Sequence, residues 1–102
     1  MNKIEQWFKE EEDDDLQGHE EFLRFERIAD PPSQRPDLCA FLLLDKLMPG
    51  ERDIIACAEH DQIWLDIDIE ELAKVATKDD VVYLLRCGVW YEEDTESLSM
   101  FV

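Results

Sequence analysis

Basic residues are scarce. Lys and Arg number 10 against 27 Asp and Glu, so the chain carries a formal charge of −17 over 102 residues. A surface that reads nucleic acid needs a basic stripe to neutralise phosphates, and this balance argues against one. It argues equally against docking on anionic lipid. Long hydrophobic runs are missing too. The longest near-apolar stretch, residues 38–44, is far too short to span a bilayer. The opening residues 1–5 lack the shape of a signal peptide. Glycine occurs only at Gly18, Gly50 and Gly88, in no arrangement that would cradle a phosphate. There is no G-x-S-x-G elbow and no H-E-x-x-H.

Cysteine is the next shortage. Cys39, Cys57 and Cys87 are an odd set without a C-x-x-C, so they cannot all pair within one chain. Each sits in an apolar stretch, where a free thiol acts as a small buried hydrophobe. Three reduced core cysteines and a cytoplasmic location are the expectation. Cys57 and His60 stand three apart and would share a face of a helix, but no standard zinc spacing surrounds them.

Along the chain, residues 1–15 form an acidic N-terminal element and residues 16–102 the globular domain. Ile4, Trp7 and Phe8 lie on one face of a helical turn. Six consecutive acids at 10–15 follow, a run expected to be solvated and mobile. The Trp7-Phe8 pair is expected to fold back on the domain, as large aromatics usually do. Residues 18–28 suit a helix through Phe22, Phe25 and Ile28. Three prolines at 31–36 then break regular structure. Residues 36–48 predict a helix started by Pro36 and stopped by Pro49-Gly50, apolar over more than half its circumference and therefore central. Residues 51–60 read as helix through Ala56-Cys57-Ala58, although Ile54-Ile55 also suits a strand.

Residues 62–68 alternate, with Ile63, Leu65 and Ile67 on one face and Trp64, Asp66 and Asp68 on the other, which is the strand period. Asp68 caps a helix opening Ile69-Glu70-Glu71. Thr77 caps another, with Asp80 completing a near capping box, and Gly88 ends it. Residues 89–91 and 98–102 read as strands of a hairpin around the acidic turn 92–96. The fold expected is α+β: one small domain with a helical N-terminal half, and two short helices packed on a mostly antiparallel three-stranded sheet (63–67, 89–92, 98–102). Trimming the last strand should cost much stability.

Little catalytic chemistry emerges. The two helices from 68 to 88 resemble a helix-turn-helix only in spacing, because Lys78, Asp79, Asp80 and Arg86 sum to zero charge. Calcium loops counted from Asp66 or Asp13 lack the Gly at position six, the Glu at twelve, or both. Asp66 and Asp68 are the best acid/base or divalent-cation pair. Neither catalytic nor metal residues are assigned, and no cofactor is expected.

The surface remains. At this charge its field should steer basic partners toward it. The leading reading is a non-enzymatic acidic module that occupies a basic surface of a partner protein. Asp66, Asp68, Glu70, Glu71, Glu92, Glu93 and Asp94 would supply the charge, with Trp64 and Trp90 as aromatic anchors. Direct nucleic-acid and membrane binding are not expected. In size and acidity alone the chain is similar to small phage or plasmid accessory proteins, to immunity proteins and to DNA-mimic inhibitors. That resemblance would imply an inhibitory partner-binding role, and no individual residue is carried over by it. The alternatives are an adaptor using the apolar Ile4/Trp7/Phe8 face and a small metal-dependent enzyme using Asp66 and Asp68.

Overall fold

Two side-chain caps and two hairpins organise the C-terminal half of the chain. A computed structural model describes residues 3–9, 22–51, 53–92 and 94–101. It shows an α+β domain of four helices and one antiparallel sheet. Helix α1 spans Lys3–Lys9 and α2 spans Pro36–Leu47. Strands β1 (Ile55–Glu59) and β2 (Gln62–Leu65) follow, then α3 (Ile69–Val75) and α4 (Lys78–Arg86), and last β3 (Val89–Glu92) and β4 (Ser97–Phe101).

The helix starts are chemically explicit. The Asp68 carboxylate accepts from the backbone N–H groups of Glu70 (2.9 Å) and Glu71 (3.3 Å). Such a cap satisfies donors that the first turn leaves without intrahelical partners. At α4 the Thr77 hydroxyl accepts from Asp80 N–H while the Asp80 carboxylate accepts from Thr77 N–H, closing the capping box. Gly88, at φ +95°, leaves α4 through a left-handed residue, as the sequence predicts.

The sheet corrects the expected strand count. It has four strands in the order β1-β2-β4-β3, not three. The additional strand is β1, in a segment whose Ala-rich centre points to helix by local propensity. Pairing with β2 overrides that preference: Ala58 stands opposite Ile63 and Glu59 opposite Gln62 across a turn in which His60 takes φ +54°. Strand β4 is interior, paired with β2 on one side and β3 on the other. Two further expectations are corrected. The 18–28 helix reduces, over the residues described, to a 3-10 turn at Phe25–Arg27. Helix α2 is not surrounded: it buries Cys39, Ala40 and Leu44, with α4 beside it, while Leu38 and Leu42 are 43% and 46% exposed. A broad apolar circumference does not by itself oblige burial on every side.

One face of the sheet carries Ile63, Leu65, Val89, Tyr91, Leu98 and Met100, all buried. Helix α1 joins this core through Ile4 and Phe8, 0% and 1% exposed, and the Tyr91 hydroxyl donates to Glu5 at 3.2 Å. The acidic run 10–15 lies outside the described residues. On the other face Trp64, Ser99 and Trp90 stand in register across three strands. Phe22 meets Trp90 edge-on at 6.1 Å between ring centres, and Phe101 lies 4.5 Å from it. Among the described residues no helix is long and apolar enough to cross a membrane.

Candidate functional site

The end of β2 brings the acidic stretch of the sequence to the mouth of a cleft of about 890 Å³. Its wall runs along β1 (Ala56, Cys57, Glu59) and along the chain from Trp64 to Glu70. The turn residues Thr95 and Glu96, with Ser97, contribute from across the sheet, and Glu5 from α1. Six carboxylates line it: Glu5, Glu59, Asp66, Asp68, Glu70 and Glu96. No Lys, Arg or His is among the described residues that do. Like charges gathered around one concave space reinforce each other's field, because the low-dielectric walls focus it.

Strand β2 ends at Leu65, so Asp66 and Asp68 do not continue a strand face with Trp64. This corrects the arrangement expected from alternation. Asp66 instead ties the segment to the residue just before β1 by donating its N–H to the carbonyl of Ile54. Asp68 is committed to the α3 cap. Trp64 is half-buried, lines the cleft, and its indole Nε1 is buried without a hydrogen-bond partner among the described residues.

Of the other residues nominated from sequence, Glu70 lines the cleft while Glu71 does not. Glu71 pairs instead with Lys74 at 3.1 Å on the exposed side of α3. Trp90 sits in the sheet, 7% exposed, and its Nε1 donates to Glu92 at 3.3 Å. Asp94 is exposed in the β3–β4 turn, and Glu93 lies outside the described residues. The structure thus brings Trp64, Asp66, Asp68 and Glu70 together, and places Trp90, Glu92 and Asp94 away from the cleft wall.

Glu5 and Glu59 were missed from sequence because they reach the cleft from distant positions. Glu96 belongs to the acidic turn 92–96 read from sequence, of which Glu92, Glu93 and Asp94 were the residues nominated.

The cysteines divide. Cys39 and Cys87 are buried and Cys57 is exposed, which corrects the expectation of three core thiols. Cys57 lies on an edge strand instead of inside a helix, so it shares no helical face with His60. Among the described residues no three His, Cys, Asp or Glu side chains gather closely enough to hold a metal ion. Burial pushes the Cys87 thiol up to about 12, helped by the neighbouring Cys39. Such a thiol is a poor nucleophile at neutral pH. The Ile4/Trp7/Phe8 face is turned inward at Ile4 and Phe8, and the Lys3 ammonium sits 5.2 Å from the centre of the Trp7 ring.

The arrangement can attract organic cations, accept hydrogen bonds from ammonium and guanidinium groups, and repel anions. No protein-family model matches the chain, and no curated protein or solved structure matches it either.

Proposed function

We propose that the protein is a non-enzymatic acidic binding module whose cleft receives a basic surface of a partner protein. The observation that carries this reading is the gathering of the exposed carboxylates Glu59, Asp68, Glu70 and Glu96 around one cleft of about 890 Å³, with no cationic side chain among its described lining residues. A net charge of −17 adds long-range steering toward such a partner. Trp64 in the wall supplies a flat apolar surface on which a guanidinium can stack. An inhibitory role of the DNA-mimic or immunity type is one form this binding would take.

The test separates the cleft from net charge. One variant neutralises the cleft (Glu59→Gln, Asp68→Asn, Glu70→Gln, Glu96→Gln). Asn at position 68 preserves the helix cap. A control of equal charge neutralises Glu26, Asp30, Asp37 and Asp79, all exposed and outside the cleft lining. Both are titrated with a short peptide of alternating lysine and valine at low and high salt. The cleft variant should bind at least about tenfold more weakly than the control, and salt should weaken binding to the native protein. Equal loss in the two variants, or binding indifferent to salt, overturns the reading.

A further inference from the structure

The two edges of the sheet are unlike. At one edge β3 has Val89, Trp90 and Tyr91 buried, with α1 and α4 against it. At the other edge all five residues of β1 are exposed, and β2 is the strand that pairs with it. An edge strand turns the N–H and C=O of alternate residues away from the sheet, where another strand can bond to them.

Native proteins usually blunt such an edge with Lys, Pro or other charge. Here β1 reads Ile-Ala-Cys-Ala-Glu, one charged residue in five, in a chain that is 36% charged. Its register shifts between Ile55 and Cys57, an irregularity of the kind that blunts an edge, so the stretch open to regular strand addition is Cys57 to Glu59, where the pairing with β2 is regular. The side chains of Ala56, Cys57 and Ala58 are small, so an approaching backbone meets little bulk.

We propose that β1 is a docking edge for an extended, Lys- or Arg-bearing segment of a partner protein. That segment adds to the sheet as a fifth strand, and its basic side chains reach the carboxylates of the cleft. The geometry links the two features, because Ala56, Cys57 and Glu59 belong both to the open edge and to the cleft wall. Charge decides the occupant. A second copy pairing β1 against β1 would set two chains of −17 side by side, whereas a basic segment meets opposite charge. Backbone bonds would fix the extended shape and register, and alternate side chains would give selectivity, as in other strand-addition complexes. The inference rests on the cleft reading above and can fail separately from it.

The experiment uses the full chain and two probes: the alternating lysine–valine peptide, and the same peptide with its backbone amides N-methylated. Methylation keeps the charge and removes the donors. The parent peptide should bind, slow amide hydrogen exchange within β1, and outcompete the methylated form by about tenfold or more. Equal affinity of the two peptides, or binding without protection of β1, overturns strand addition and leaves the charged cleft standing. If neither peptide binds, both readings fall. A free protein that sediments as a dimer with β1 amides already protected also overturns the proposal, in favour of a second copy.

Discussion

Replacing Ser99 by alanine should make the protein more stable. Ser99 is 0% exposed on the interior strand β4, with Trp64 opposite it on β2 and Trp90 opposite it on β3. Its hydroxyl is buried without a hydrogen-bond partner among the described residues, and so is the Trp64 indole N–H across the strand. A buried hydroxyl without a partner costs about 1–3 kcal/mol relative to water. Alanine removes that cost and leaves a void no larger than one oxygen, worth a few tenths of a kcal/mol. The net gain should be about 0.5–2 kcal/mol. For a domain of this length, each kcal/mol raises Tm by roughly 4–8 °C.

Scanning calorimetry and urea unfolding of Ser99→Ala would measure the gain. Ser99→Val is the companion variant. It removes the same hydroxyl but forces extra volume between two indoles, and should lose about 1–3 kcal/mol. A Ser99→Ala protein that is less stable than the native one would refute the reasoning. The hydroxyl would then have a partner, and a buried water joining it to the Trp64 N–H is the chemistry that would supply one.

The thiols should react in two classes: Cys57 rapidly in the native protein, Cys39 and Cys87 only on unfolding. A thiol count with the uncharged reagent N-ethylmaleimide that exceeds one before denaturation would contradict the buried positions. Alkaline pH should destabilise the protein. Burial raises Cys87 from 9.0 to about 12, and burial with the nearby Cys39 and Cys87 raises Tyr83 from 10.0 to about 12. The unfolded chain therefore loses these protons first, so their contribution is complete below pH 9 and disappears as pH rises toward 12. The urea midpoint should fall across that window, and Cys87→Ala should flatten the fall; a midpoint constant from pH 9 to 11 would exclude it. Gly88→Ala should destabilise by about 1 kcal/mol or more, because φ is +95° and the new Cβ would meet the Leu23 side chain at 2.9 Å. Chemical denaturation checks this, and an unchanged midpoint would mean that the turn relaxes freely.

Local chemistry decided which elements could be read from sequence. The caps at Asp68 and Thr77 and the stop at Gly88 depend on neighbours a few residues away, so they were visible. The alternation of β2 was visible for the same reason, although it was extended too far: Asp66 and Asp68 continue the pattern in sequence while the backbone leaves the strand after Leu65. Strand β1 gave only the β-branched pair Ile54-Ile55 as a strand signal, outweighed by its alanines. It is exposed on both faces, so no period-two hydrophobicity marks it, and Ala56 and Ala58 favour helix in isolation. The candidate cleft was legible only in its contiguous portion, from Trp64 to Glu70. Glu5, Glu59 and Glu96 arrive through the docking of α1, the β1–β2 hairpin and the β3–β4 turn. Those are relations between elements, which composition and spacing do not encode.

The strand order also sets a schedule for assembly. The β1–β2 and β3–β4 hairpins are each closed by short turns and need only local contacts, which form in microseconds. Their union is different: Trp64 must find Ser99, 35 positions away, before β2 and β4 can pair. The hydrogen bond from Tyr91 to Glu5 spans 86 positions, so α1 is joined to the sheet by one of the longest chain closures in the fold. Loop-closure entropy must be met before such contacts contribute anything. Until the hairpins meet, both β2 and β4 present open edges, and β4 carries Leu98 and Met100 unburied. The interval between hairpin formation and hairpin docking is therefore the period in which this chain is most exposed to pairing with the wrong strand.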